Sequence, residues 1–517
     1  MVKGKTTLSP LVTAAISALA LFYPLVFVEF PRTQALHLFV VLSVFFSFAV
    51  ALRSFLLLYD AASGIVHIQC LAAGLLVGWT SWLLFFGAAR APITLAPLPE
   101  VERIMGVLAS DPVPYGEDLY RTDVLTRDVS GPDGARFSCN GRLTVLVPKR
   151  TVECMYPGKI SGTSAARIFL CSGTAASFEG RFLGASSGGI PVFKAESAST
   201  ESSPDKMDNR ICRFRGFLRL SLMRALYSWK DAGGFLLALT SGDKAYLEHS
   251  LSENFKKTGL SHILALSGMH LSLIGLLVSK AGTRAGGIRL SRALVSTVAV
   301  AFVWFAGVSP SLNRALIMLL IASYCSSTGI FPSTIALLAA SALVQMLVFP
   351  ADATTLAFML TYGALAGILL SGTHLSRLFD KRIPAIVRND LSSSIGAQLM
   401  TAPILACTTA LLSPVGIIAS VIVSPLANLF MVAGSFLAVV GSLCPAVSQL
   451  AGSIAGVLYK LIYICVDFFA YCNPLPIVNR KATIAAVLLP VAAMCMIMYA
   501  YKKSGNWRTS DDCFAGL

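Results

Sequence analysis

The sequence predicts a polytopic α-helical membrane protein with a β-rich domain inserted after its first three membrane helices. Three observations lead there. Of 517 residues, 55% are hydrophobic and only 13% charged, about half the charged fraction of a soluble globular domain. Span-length apolar runs recur along the chain, as a helix crossing roughly 30 Å of hydrocarbon requires. Between residues 100 and 199 those runs give way to short alternating stretches punctuated by Gly, Pro, Asp and Ser, the signature of strands and turns.

At the amino end Lys3 and Lys5 precede an apolar run from Leu8 to Val28. Its length, about 21 residues, suits an uncleaved first helix better than the 7–15 residues of a signal peptide. Two further runs, Leu36–Tyr59 and Ile65–Ala89, complete an N-terminal membrane segment over 1–92. With Lys3 and Lys5 inside the cell, three crossings place the β-rich domain, 93–200, outside the cytoplasmic membrane. Stretches such as Arg142–Val147 read as its strands. Between Glu100 and Ser199 it holds 11 acidic and 11 basic residues, so it is neutral and has no polyanion footprint.

Residues 201–258 form a polar linker and a basic amphipathic helix. Arg210, Arg213, Arg215, Arg219, Arg224 and Lys230 alternate there with Phe214, Phe217, Leu218, Leu222, Tyr227 and Trp229. Two uses are open: lying at the membrane surface against anionic headgroups, or guiding a phosphate backbone. From 259 to 501 nine apolar spans are expected, beginning with 259–280 and 288–309. Residues 502–517 form a cytoplasmic tail. The loop cations Arg284, Arg289, Arg292, Arg377, Lys381, Arg382 and Arg388 favour both termini inside; Arg480 and Lys481 fall on the other side. This bias accounts for much of the net charge of +15. No metal-ligand spacing and no nucleotide-binding loop occurs, so neither cofactor nor resident motor is expected.

The most informative stretch lies between Leu239 and Ala281. It contains Ser241-Gly242-Asp243-Lys244, then Phe255-Lys-Lys-Thr-Gly-Leu-Ser261, then His262-Ile-Leu-Ala-Leu-Ser267-Gly268-Met-His270. Polar groups in an apolar helix need a neighbour or a wet path. A continuous helix would set His262 and His270 about 80° apart.

These motifs, in this order, resemble those of the ComEC competence-protein family: a Gly-Asp, an F-[RK]-x-T-G-x-x-H and an S-G-[LIV]-H. The likeness continues through Ser309-Pro-Ser-Leu-Asn313-Arg314, Phe349-Pro-Ala-Asp352, Phe358 to Tyr362, and Ser392 to Pro403. Met359 stands where the family usually has Gln. The resemblance implies a channel passing single-stranded DNA across the cytoplasmic membrane during natural transformation, with an external OB-like β domain. Path candidates are Asp243, His262, Ser267, Gly268, His270, Asn313, Arg314, Gln398 and Thr401. Trp304, Phe358 and Tyr362 are candidates for stacking on bases. Arg213, Arg215, Arg219 and Arg224 are candidates for contacts with DNA or the membrane surface. The resemblance also implies a disulfide in the external domain, with Cys154–Cys171 as the chosen pair. The carboxy-terminal metallo-β-lactamase-like domain of many members would need H-x-H-x-D-H, which is missing. A separate DNA receptor, nuclease and helicase-like motor are therefore the expected partners, with the bilayer. Two alternatives carry weight: a small-solute or lipid-linked transporter on a competence-like core, and a rhomboid-like intramembrane serine protease using Ser267 with His374 as base.

Overall fold

The computed structural model describes residues 10–27, 62–88, 93–94 and, with short interruptions, 101–148, 170–200 and 207–503. The expected span at Leu36–Tyr59, the cysteines Cys154 and Cys171 and most of the tail lie outside the described residues.

Helices α1 (Pro10–Phe27) and α2 (Ala62–Ala88) pack as a close pair. Gly74 and Gly78 of α2 lack the Cβ atoms that would strike the carbonyl oxygens of Ala14 and Ala18 on α1. This small-xxx-small arrangement lets two membrane helices approach. Ser17 Oγ donates to the Leu71 carbonyl (3.0 Å), and Trp82 Nε1 to that of Leu25 (3.2 Å).

The β-rich domain is a small five-stranded barrel. Its strands are β2 (Arg103–Leu108), β4 (Leu119–Ser130), β5 (Arg136–Pro148), β6 (Ala175–Ala185) and β7 (Pro191–Thr200), with β1 (Ile93–Thr94) and β3 (Val113–Tyr115) added at the edges. The ring runs β2–β4–β5–β7–β6 and back to β2, parallel between β5 and β7 and antiparallel elsewhere. Alternation explains the core: Leu143, Val145 and Val147 of β5 point inward to meet Val124, Ile104, Phe178 and Phe193. Register shifts beside Gly106 and Gly180 bend β2 and β6, and a Cβ at either glycine would meet a neighbouring strand's carbonyl.

The rest is helical. α3 (Met207–Tyr227), α4 (Lys230–Ser241) and α5 (His249–Lys257) lead into a single turn, α6 (Ser261–Leu264). The helical run α7 (Gly268–Ala306) breaks at Gly286-Gly287, where Gly287 has φ 75°. Its two arms fold back on each other: Ser279 and Ser291 share a hydrogen bond (3.1 Å), and a Cβ at Gly282 would lie 2.7 Å from Ser291 Cα. Each arm is about 27 Å long at 1.5 Å per residue, enough for one crossing. α8 (Pro310–Ser327), α9 (Thr334–Val348), the single turn α10 (Pro350–Ala353) and α11 (Leu356–Gly367) follow. After α11 a π-helical turn (Ile368–Gly372) leads into α12 (Thr373–Leu378). Then come α13 (Ala385–Thr408), α14 (Val415–Leu443), α15 (Pro445–Ala470) and α16 (Arg480–Lys503). Short strands β8 (Leu411–Leu412) and β9 (Leu475–Pro476) pair antiparallel.

The lengths and apolarity of the helices fit the membrane reading. Four described helical runs, Ile68–Phe85, Gly268–Ala306, Val415–Gly441 and Ser448–Ala470, are long and apolar enough to cross a bilayer. On α15, Leu450, Ile454, Val457, Leu461, Ile464 and Phe468 recur at steps of four and three and are all exposed. Such a stripe on one face suits contact with lipid.

Two expectations need correction. The span at 259–280 is not one helix. α6 ends after Leu264, Ala265 and Ser267 are extended, and α7 starts at Gly268. His262 and His270 therefore sit on different helices, because Ser267 caps the second one. Secondly, the cations of α3 do not all face outward. Arg215 and Arg219 are each 5% exposed, whereas Phe214, Phe217 and Tyr227 are more than half exposed. Arg215 Nε donates to the Phe305 carbonyl (3.3 Å) and Arg219 to that of Ser241 (3.4 Å). Carbonyls at the ends of α7 and α4 recruit the guanidinium groups inward, as buried charge requires, so their role as surface contacts is withdrawn.

Candidate functional site

The site forms where α7 and α8 begin. Ser267 enters α7 in an extended conformation (φ −120°, ψ 166°). Its backbone N–H donates to His270 Nδ1 (3.0 Å), and its Oγ lies 3.1 Å from the same nitrogen. His270 thus takes the part that Glu or Gln plays in a capping box. Because Nδ1 accepts from a peptide N–H, the ring proton is assigned to Nε2. His270 is 1% exposed.

Ser309 caps α8, accepting from the Leu312 N–H (3.4 Å), and Pro310 occupies the first turn, where its missing N–H costs nothing. Arg314, one turn on, reaches back to α7. A Cβ on Gly268 would sit 3.4 Å from Arg314 Nη2 and 3.1 Å from Ala315 Cβ. Glycine therefore lets the guanidinium lie against the first turn of α7. Arg314 Nη1 donates to the Thr361 carbonyl (3.3 Å), while its Nε is buried with no hydrogen-bond partner. Thr361 Oγ1 bonds Ser311 Oγ (3.2 Å).

Beside this junction runs a buried polar network. Asp352 Oδ2 accepts from Asn313 Nδ2 (2.8 Å) and from Gln345 Nε2 (2.9 Å). Gln345 Nε2 also donates to the Pro310 carbonyl (3.0 Å), and Tyr362 Oη donates to Gln345 Oε1 (3.0 Å) while sharing a bond with Ser341 (3.2 Å). Ser341 and Gln345 are fully buried and Asn313 is 3% exposed. The carboxylate on α10 thus ties the start of α8 to α9, and Gln345 carries the network on to Tyr362 of α11. Helices α1 and α2 cover this bundle: Phe22, Trp79 and Trp82 pack on Met346, Ala353 and Phe358, and Tyr23 donates to the Ala353 carbonyl (3.0 Å).

The expected residues are thereby sorted. Ser267, Gly268, His270, Asn313 and Arg314 come together. Gln398 instead bonds the Ser413 carbonyl (3.2 Å), and Ser413 Oγ bonds that of Lys257 (2.8 Å), making a second junction beside Gly259 and Gly416. Thr401 Oγ1 bonds its own helix at Ala397 (2.9 Å). His262 is exposed and bonds the Gly259 carbonyl (3.2 Å). Asp243 follows the left-handed Gly242 that ends α4. Arg224 is exposed, and the Arg213 side chain lies outside the described residues. Phe358 is 1% exposed and packs on Tyr362 (4.5 Å between ring centroids). Trp304 stacks on Phe214 (6.2 Å, 24°). Gln345, Asp352 and Ser341 were missed as site residues; their signal was a polar group in an apolar run.

The protease alternative names His374 as base, and that side chain lies outside the described residues; the imidazole beside Ser267 is that of His270. Ser267 contacts His270, three residues on in its own helix, whose Nδ1 lone pair already accepts the Ser267 peptide N–H. A general base needs that lone pair for the hydroxyl proton. Among the described residues no cluster of His, Cys, Asp and Glu could hold a metal ion.

Comparison with known proteins agrees with the sequence resemblance. No curated protein and no solved structure matches the chain. A family profile described as competence protein matches residues 239–504, just over half of the 517 residues, and that interval holds every residue of the α7–α8 junction and its buried network. The chain belongs to the competence-protein family, whose role is DNA uptake in competence.

Proposed function

We propose that the chain is the membrane channel through which single-stranded DNA crosses the cytoplasmic membrane in natural transformation. The observation that carries this reading is the α7–α8 junction, where the starts of two helices and the Arg314 guanidinium meet at a break in the helical backbone. Helix starts carry partial positive charge, and with an arginine they favour a phosphate. Irregular backbone at membrane depth is tolerated where it is enclosed by protein or lines a wet cavity. On the positive-inside orientation, with both termini cytoplasmic, α7 and α8 begin at the outer leaflet, where incoming DNA arrives.

We read the barrel as an OB-like domain outside the membrane. The parallel closure of β5 on β7 in a five-stranded ring supports this, and such barrels commonly hold single strands. Asp243, His262, Gln398 and Thr401 would line the path further on. A DNA receptor, a nuclease and a cytoplasmic motor would be separate proteins.

The test is delivery of labelled DNA to the cytoplasm in strains with and without this gene. The proposal expects the label to stop outside the membrane in the deletion strain. Equal cytoplasmic label in both strains refutes it and favours a small-solute or lipid-linked transporter.

A further inference from the structure

A cavity of about 700 Å³ opens at the turn between α3 and α4, against the start of α15. It is lined by Arg224 and Lys230, by Ser228 and Ser448, and by Trp229 and Gly452. The start of α4 at Lys230 forms one wall, with its peptide N–H groups and the positive end of its dipole. The last turns of α3 and α14 and the second turn of α15, from Ser448, complete the lining. Two cations, Arg224 and Lys230, stand on it. Trp229 is 6% exposed, yet its buried Nε1–H has no hydrogen-bond partner. Gly452 packs against that edge of the indole, where a Cβ would lie 2.8 Å from Trp229 Cδ1 and 3.2 Å from Nε1. Finally, Lys230 is the one non-glycine residue with positive φ (53°) among the described residues, a conformation of extra energy held at the mouth of the cavity.

The surroundings identify the occupant. The exposed apolar stripe of α15 begins with Leu450, next to the cavity, and continues through Ile454 and Val457. Tyr227, next in sequence to the lining residue Ser228, is 52% exposed, an amphipathic ring of the kind that sits at headgroup level. A molecule with a phosphate in the cavity would therefore lay apolar chains along α15. We propose that this cavity binds the phosphodiester headgroup of an anionic phospholipid, one per chain, with Arg224 and Lys230 as the cations that face it. The site lies on α3, α4 and α15, away from the α7–α8 junction, and does not depend on how DNA crosses.

The full-length protein in neutral detergent can be titrated with phosphatidylglycerol and, separately, phosphatidylcholine, and bound lipid counted by native mass spectrometry. One phosphatidylglycerol should be retained where phosphatidylcholine is not. Replacing Arg224→Gln and Lys230→Gln together removes two exposed cations and should weaken retention about 30-fold, the weight of two headgroup-facing charges. Gly452→Leu, which places a side chain in the cavity wall beside the indole without altering charge, should also weaken it, with monodisperse elution confirming an intact fold. Undiminished retention in the double variant overturns the assignment. So does equal retention of phosphatidylcholine, or displacement of the lipid by inorganic phosphate or by a thymidine oligonucleotide.

Discussion

Asp352→Ala is the most informative perturbation of the buried network. One carboxylate oxygen accepts from Asn313 at 2.8 Å and from Gln345 at 2.9 Å, and both amides are almost inaccessible. Removing the carboxylate leaves two buried N–H donors short of an acceptor. An orphaned buried donor costs roughly 1–3 kcal/mol, so the loss should be about 2–6 kcal/mol. Gln345 keeps the Pro310 carbonyl as a second acceptor, which favours the lower half of that range. Asp352→Asn retains one acceptor oxygen and should lose less than about 2 kcal/mol, since hydrogen bonds between membrane helices average about 0.6 kcal/mol in double-mutant cycles. Reversible unfolding by sodium dodecyl sulfate in mixed micelles measures both. An alanine variant within about 0.5 kcal/mol of the parent, the spread of an ordinary surface substitution, would refute the claim that the Asp352 carboxylate ties the start of α8 to α9.

Three further outcomes are expected. Gly78→Leu drives a side chain into the Ala18 carbonyl, so α1 and α2 should separate and become sensitive to protease while the barrel stays folded. Phe178→Ala empties the centre of the barrel, where Phe178 is fully buried, and should destabilise that domain by about 3–5 kcal/mol in chemical denaturation. His270→Leu removes the acceptor of the Ser267 N–H, which should cost about 1 kcal/mol, as a lost cap does, and impair DNA uptake while membrane insertion, measured by fractionation, is unchanged.

Much of the architecture was legible because it follows from periodicity. Alternation in Arg142–Val147 identified β5, and the change in composition between 100 and 199 separated the barrel from the helices. The hairpin within α7 was legible too, since Gly286-Gly287 sits between two apolar runs with arginines around it. Periodicity could not reveal the break before Gly268, because Ala265-Leu266 is as apolar as any helix interior and only Ser267 with His270 reports a cap. The inward turn of Arg215 and Arg219 was hidden for another reason. Arginine and aromatic residues alternate so closely in α3 that either face could be read as buried, and the deciding groups are carbonyls of Phe305 and Ser241, remote in sequence. Gln345 and Asp352 were missed as a pair because seven residues separate them and their shared partner Asn313 lies on another helix.

The central claim is that Arg314, held against the first turn of α7, stabilises phosphates as a strand crosses. Cytoplasmic accumulation of fluorescent single-stranded DNA should be compared between the parent and Arg314→Glu, with both proteins quantified in the membrane fraction. Reversing a charge a few ångströms from a phosphate should lower uptake by at least about 100-fold, and Arg314→Lys should fall between the two. Parental levels of cytoplasmic DNA in a correctly inserted Arg314→Glu protein would contradict the account.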